Sequence, residues 1–229
     1  MGPAQSLFDS KAVRSAFVSK VYAILFVQLL VASIMIAAFT FHQPTQVYFK
    51  QHGDAYLFGA LGVGVITMLV LTCVESARRS YPLNFILLIV VTLAYGLIAA
   101  VMSSRFETET VLCAFGATAL ATFVVMLLAK YSSLDMTTCG CALCVLALIH
   151  LVVSMILIIL LPSKTTALIV AGAGAFLVSL YMMFDLQLIM GGRSMELSPE
   201  EYILGAVMLY IDILNLFQYM LILFAGSRD

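Results

Sequence analysis

Charge is what this chain has least of. Only 10% of its 229 residues are charged, 11 basic and 12 acidic, against 63% hydrophobic, whereas a soluble domain is roughly a quarter charged. The deficit excludes a water-driven globule. The net charge is −1, and with no basic patch or basic helix nothing points to nucleic acid. No Asn-x-Ser/Thr sequon occurs, so glycosylation cannot report topology. A cleavable signal peptide is not expected, because the first apolar run is too long and no small-residue cleavage site follows it. That first run would itself serve as the targeting signal. The five cysteines (Cys73, Cys113, Cys139, Cys141 and Cys144) fall within or at the ends of apolar stretches, which is not a secreted disulfide framework.

What the chain does have is long apolar runs. Seven are expected, over residues 21–41, 55–74, 82–103, 110–130, 139–161, 166–190 and 202–225. Each is near the ~20 residues needed to cross hydrocarbon, and none shows the alternation of a barrel strand. The fold class is therefore all-α, a polytopic seven-helix bundle in one membrane domain, residues 1–229, with a short cytosolic segment 1–20. The last span is read as crossing or re-entrant. Lys11, Arg14, Lys20, Arg78, Arg79, Lys130 and Arg193 share one side, and Lys50, Arg105, Lys164 and Arg228 the other. That bias puts the N-terminus in the cytosol.

Asp185 and Asp212 are the only charged residues deep inside apolar spans. A carboxylate near the bilayer centre costs at least ~2.5–3.5 kcal/mol, so it normally faces a partner, a proton or a water-filled cavity. Gly205, Met208, Asp212, Asn215 and Tyr219 recur on one face of the last span, and Ala171, Gly174, Val178, Tyr181 and Asp185 on one face of the sixth. Ala167, Ala171, Ala175 and Ser179 add a small-residue ridge that lets a neighbour approach closely, so the sixth helix is expected to be central. Ser198-Pro-Glu-Glu201 reads as a capping box that starts the last helix. Asp185 and Asp212 then lie about 7–8 Å and about 15 Å from a shared connection at 1.5 Å per residue, close enough to meet. Two such carboxyls in low dielectric share one proton and titrate as a unit. Deprotonated, they offer the hard oxygens that suit a transient Ca²⁺ ion. Asn215 is a supporting polar group. The bland alternative is interhelical glue.

Arg78 and Arg79 close the second span. They read as a positive-inside anchor, or one of them reaches Asp185, with Glu75 as a competing partner. Cys139-Gly-Cys141-Ala-Leu-Cys144 has no second cluster to complete a metal site, so small packing residues are expected there. His150 is read as a hydrogen-bonded core residue.

Several segments resemble the Bax inhibitor transmembrane family, and within it the Lifeguard subgroup. They are Phe8-Asp-Ser-Lys-Ala-Val-Arg14, Phe17-Val-Ser-Lys-Val-Tyr22, Gln28-Leu-Leu-Val31 and Pro82-Leu-Asn84. The more specific ones are Phe184-Asp-Leu-Gln-Leu-Ile-Met-Gly-Gly192, Leu197-Ser-Pro-Glu-Glu-Tyr202 and Leu209-Tyr-Ile-Asp-Ile-Leu-Asn-Leu-Phe217. The resemblance implies a seven-helix protein of the endoplasmic reticulum or Golgi that leaks calcium in a pH-dependent way and restrains cell death. It also implies that Asp185 and Asp212 form the family's aspartate pair, and that Arg78 or Arg79 latches the pore. Calcium ions, protons, the lipid bilayer and cell-death regulators are the expected partners. No cofactor and no enzymatic activity are expected. Two alternatives stay open: an intramembrane aspartyl protease, disfavoured by Leu-Tyr-Ile before Asp212 in place of Gly-x-Gly, and a non-transporting scaffold.

Overall fold

The computed structural model describes the backbone of residues 3–228 and the side chains of residues 11–226. The side chains of Phe8, Asp9, Ser10 and Arg228 lie outside the described residues. Eight helices follow in order: α1 (Pro3–Phe41), α2 (Gln43–Cys73), α3 (Glu75–Arg79), α4 (Leu83–Ser103), α5 (Thr108–Tyr131), α6 (Gly140–Leu160), α7 (Lys164–Met190) and α8 (Tyr202–Arg228). Short 3₁₀ turns, Met136–Cys139 and Pro199–Glu201, lead into α6 and α8. Seven helices, all but the five-residue α3, are long and apolar enough to cross a membrane.

The helices overrun the apolar runs where nothing stops them. From Ala4 to Phe41 there is neither glycine nor proline, so α1 extends through the segment read above as a separate cytosolic piece. α2 starts twelve residues before the expected 55, because Pro44 sits in its first turn and suits that position. His42 alone, in an extended conformation, separates the two helices. The last span is one unbroken 27-residue helix, about 40 Å at 1.5 Å per residue, long enough to cross a membrane.

The expected capping box does not form. Ser198 sits at the N-cap of the 3₁₀ turn without a side-chain cap bond, and the turn is closed by the Glu201 amide donating to the Ser198 carbonyl at 2.9 Å. The Glu201 carboxylate is engaged elsewhere, as described below.

The centre of the bundle is shared between helices. α8 packs against α7, α5, α1 and α4, and the third and last spans are the most buried. The sixth span, expected to be the central one, enters the core through its C-terminal half, where Met182, Met183 and Asp185 to Ile189 are buried. A polar clasp ties three helices at mid-depth. The Gln28 amide donates to Thr92 Oγ1 at 3.0 Å, and the Tyr210 hydroxyl donates to the Thr92 carbonyl at 2.8 Å. α6 stands apart: its main tertiary neighbours are α7 and the turn before it, it reaches α8 through His150, and Leu143 is its one buried residue.

Candidate functional site

Small residues set the approach of α7 and α8. A Cβ on Gly174 would collide with the Tyr219 ring, so the α8 tyrosine ring lies against bare α7 backbone. A Cβ on Gly205 would press on Leu197 and Ile189 at 3.2–3.3 Å. With both glycines on one seam, the two helices run antiparallel in close contact along the stripes read from the sequence.

This packing brings Asp185 and Asp212 together. The two carboxyls lie within hydrogen-bonding reach of each other, with only 5% and 8% of their residue surfaces exposed. Asp212 Oδ2 is fully buried and has no hydrogen-bond partner. Two ionised carboxylates cannot hydrogen-bond to one another, so the contact requires a proton, or a cation in its place. Tyr181 stands close to both aspartates and to Cys144 of α6.

A half-open cavity of about 340 Å³ between α6, α7 and α8 borders Asp212. Asp212, Asn215, Tyr181, His150, Ser154 and Tyr219 contribute its polar lining. Asn215 is thus placed beside Asp212, on the stripe expected of it. His150 is hydrogen-bonded, its Nε2 lying 3.3 Å from the Tyr219 hydroxyl.

At the end of the bundle nearest Asp185, the α7–α8 loop (residues 191–198) is tied down on three sides. Arg14 of α1 donates to the Leu197 carbonyl at 2.9 Å and to the Ile189 carbonyl at 3.3 Å, and pairs with Glu196 at 2.7 Å. Gly191 has φ +72°, and a Cβ there would meet Glu196 and Arg14 below 3 Å, so the turn and the ion pair both require glycine. Asp135, ahead of α6, accepts from the Ser194 hydroxyl and amide at 2.6 and 3.0 Å and from the Thr137 hydroxyl and amide at 2.6 and 3.0 Å. The bonds from Ser194, then those from Thr137, hold its carboxyl well below the usual carboxylate range.

The third tie corrects an expectation. Arg78 and Arg79 do not contact Asp185. Arg78 donates through Nε and Nη2 to Glu201 Oε1, both at 2.8 Å, and through Nη1 to the Thr72 carbonyl at 2.8 Å. Arg79 pairs with Glu75 at 2.5 Å, Glu201 at 3.2 Å and Glu200 at 3.5 Å. The cause is local. Extended Val74 ends α2 and starts α3 afresh, which leaves the arginines level with the first turn of α8 instead of within the bundle. Glu75, foreseen as a competing partner, is one of the acceptors.

Sequence reasoning gave no role to Gln187. It is 1% exposed; its Oε1 accepts from the Met136 amide at 2.8 Å, and its Nε2 donates to the Leu134 carbonyl at 2.9 Å and the Ala129 carbonyl at 3.3 Å. It fastens the α5–α6 connection onto α7. The signal was the one that marked the aspartates, a polar side chain isolated in an apolar run. Among the described residues no group of three or more His, Cys, Asp or Glu is arranged to hold a metal. In the Cys139–Cys144 stretch Gly140 lies against the Phe184 ring, where a Cβ would stand 3.2 Å away, so a small residue serves packing there.

Comparison with known proteins agrees with this architecture. The family described as "Inhibitor of apoptosis-promoting Bax1" matches residues 14–229. The chain belongs to the Bax inhibitor family. Within that family it is similar to protein lifeguard 3 of Mus musculus, 35% identical over 225 residues, covering 97% of this chain and 72% of that protein. Protein lifeguard 3 of Homo sapiens is 34% identical over 231 residues, covering 100% and 73%. Protein lifeguard 4 of Mus musculus is 33% identical over 213 residues, covering 91% and 84%. These matches place the chain in the Lifeguard subgroup, and its family is one of anti-apoptotic, multi-pass membrane proteins.

Proposed function

We propose that this Bax inhibitor family member is a pH-sensitive calcium leak channel of an intracellular membrane, the endoplasmic reticulum or Golgi, and that the leak is how it restrains cell death. The N-terminus and the α7–α8 loop face the cytosol in this reading, supported by the basic residues gathered at that end. The observation that carries it is the buried Asp185–Asp212 pair, with one carboxylate oxygen unpartnered and Asp212 bordering a cavity of mixed polar and apolar lining. Such a pair binds one proton when alone and offers two hard oxygen ligands when that proton leaves.

Protons and Ca²⁺ thus compete for one site. With Arg78 and Arg79 engaged by Glu201, no guanidinium among the described residues neutralises Asp185, and protonation acts on the ion site directly. Acidification fills the site with a proton and lowers Ca²⁺ occupancy, so the leak falls as pH drops. The other titratable groups around the pair are Tyr181 on α7, Cys144 and His150 on α6 and Tyr219 on α8. Resting closure is assigned to the loop end, where Arg14 and Asp135 hold the α7–α8 loop and the arginine–Glu201 cluster holds the turn into α8.

The test is Ca²⁺ flux in liposomes containing only this protein, across pH 6–8. Wild-type flux should fall with acid, and a folded Asp212→Asn protein should lose both flux and pH response, because Asn is near-isosteric and does not ionise. Wild-type flux with an unaltered pH response in folded Asp212→Asn would overturn the reading. Absence of flux in the wild type would favour a scaffold that transports nothing.

A further inference from the structure

The cavity beside Asp212 extends in one direction. Along α8 the lining residues run from Asp212 through Asn215 to Tyr219, along α7 from Tyr181 through Val178 to Gly174, and along α6 from Ala147 through His150 to Ser154. All three sets lead away from the α7–α8 loop. Seven residues of α8 separate Asp212 from Tyr219, about 10 Å at 1.5 Å per residue. The loop end of the pair is covered by the ties described above, whereas on the opposite side the pair adjoins this polar space.

Two further features make the space more than a packing fault. One is Asp212, which borders the cavity and whose Oδ2 is fully buried without a hydrogen-bond partner. The other is its outer wall. α6 is the least buried span and leaves Leu148 and Val152 exposed on its outer face, yet it turns His150 and Ser154 toward the cavity. Polar groups on an otherwise lipid-facing helix mark a face that lipid does not touch. At the end away from Asp212, the Tyr219 ring fills the space over Gly174 while its hydroxyl meets His150 Nε2 at 3.3 Å.

We infer that the α6–α7–α8 cavity is the antechamber through which a hydrated cation reaches Asp212 from the side opposite the α7–α8 loop, and that the Tyr219–His150 hydrogen bond closes it. This rests on the leak-channel reading but goes beyond it. It names the entry route, a cation-selective lining of Asn215, Ser154 and the Tyr181 hydroxyl, and a closing contact 10 Å from the pair along about two turns of α8.

The experiment uses Ser154→Cys in a background where all five native cysteines are replaced by alanine, with Leu148→Cys on the lipid face of α6 as control. The probes are methanethiosulfonate reagents of similar size, one carrying an ammonium group and one a sulfonate. At Ser154→Cys the cationic reagent should react about tenfold faster or more, the range expected where a like-signed lining concentrates ions. The preference should vanish with Asp212→Asn, and full modification should abolish Ca²⁺ flux. Leu148→Cys should show neither charge preference nor block. Tyr219→Phe, which keeps the ring and removes the hydroxyl, should raise flux several-fold.

Equal rates for both reagents, no reaction at Ser154→Cys, or unchanged flux after complete modification would each overturn the antechamber. Unchanged flux in Tyr219→Phe would overturn its closing contact. A protein that carries no Ca²⁺ at all refutes the leak-channel reading, while the charge preference of labelling still decides whether cations enter the cavity. A protein whose flux needs Asp212 but ignores the modification keeps the leak and loses this route.

Discussion

α6 and α8 line the same cavity from opposite sides, and they differ in a way that inverts the rule for soluble proteins. α6 is the most apolar of the spans and the least buried; α8 is the least apolar and among the most buried. In water the order would be reversed. Here lipid is as apolar as leucine, so apolar surface gains nothing by leaving it, and the helices that meet at the centre are those with glycines and polar groups to pair. α8 supplies Gly205, Tyr210, Asp212, Asn215 and Tyr219 to its neighbours. α6 supplies one strip, with Gly140, Leu143, Cys144, Ala147, His150 and Ser154 along it, and leaves most of its remaining surface exposed.

The largest effect that would break this comparison comes from the same substitution on each helix. Leu216→Ala, at a fully buried position of α8, should cost about 2–5 kcal/mol in unfolding free energy. Leu148→Ala, 63% exposed on α6, should stay within about 0.5 kcal/mol. Unfolding in mixed detergent micelles measures both, and equal costs would mean that α6 is packed against something the bundle does not show.

Next come the arginines ahead of α8. Arg78→Ala leaves Glu201 buried without its principal partner and should destabilise by about 3 kcal/mol. Arg79→Ala should cost under about 1 kcal/mol, because Arg79 is one-third exposed and two of its partners, Glu75 and Glu200, are largely in solvent. The same measurement separates them, and equal losses would contradict the unequal pairing.

The smallest effect is an absence of change. Hydrogen bonding depresses the Asp135 carboxyl in the folded protein. Its contribution is therefore complete above the unfolded carboxyl pKa of about 3.9 and is lost only as pH falls below that toward the folded value. Between pH 8 and 5 the Asp135–Ser194 clasp should hold, and hydrogen-exchange protection of the Ser194 and Met195 amides, corrected for intrinsic rate, should not move. Loosening within that window would make the clasp part of the pH response and weaken the case for the aspartate pair as the sensor.

Much of this was legible in the residues. Apolar run length gave seven spans, because hydrocarbon thickness fixes helix length whatever the packing. Isolated polarity gave Asp185, Asp212 and Asn215, because a polar group in lipid must find company. Their meeting followed from a short connection between antiparallel helices. The arginine partner was not legible. It depended on Val74 breaking α2, and nothing in Thr72-Cys-Val74 announces an extended residue. The capping box failed for a related reason: Glu201 had two uses, and a guanidinium from a distant helix outcompeted a local amide. Centrality of the sixth helix was half legible, since a small-residue ridge shows where a neighbour can approach but not how many neighbours arrive.

The central claim is that Asp185 and Asp212 act as one site. Ca²⁺ flux at pH 7.5 in liposomes carrying the wild type, Asp185→Asn, Asp212→Asn and the double variant tests it most directly. A shared site predicts that either single substitution removes about as much flux as both together, because residues acting as a unit are grossly non-additive. Two partial losses that multiply in the double variant would show that the aspartates serve separately, and would contradict the account.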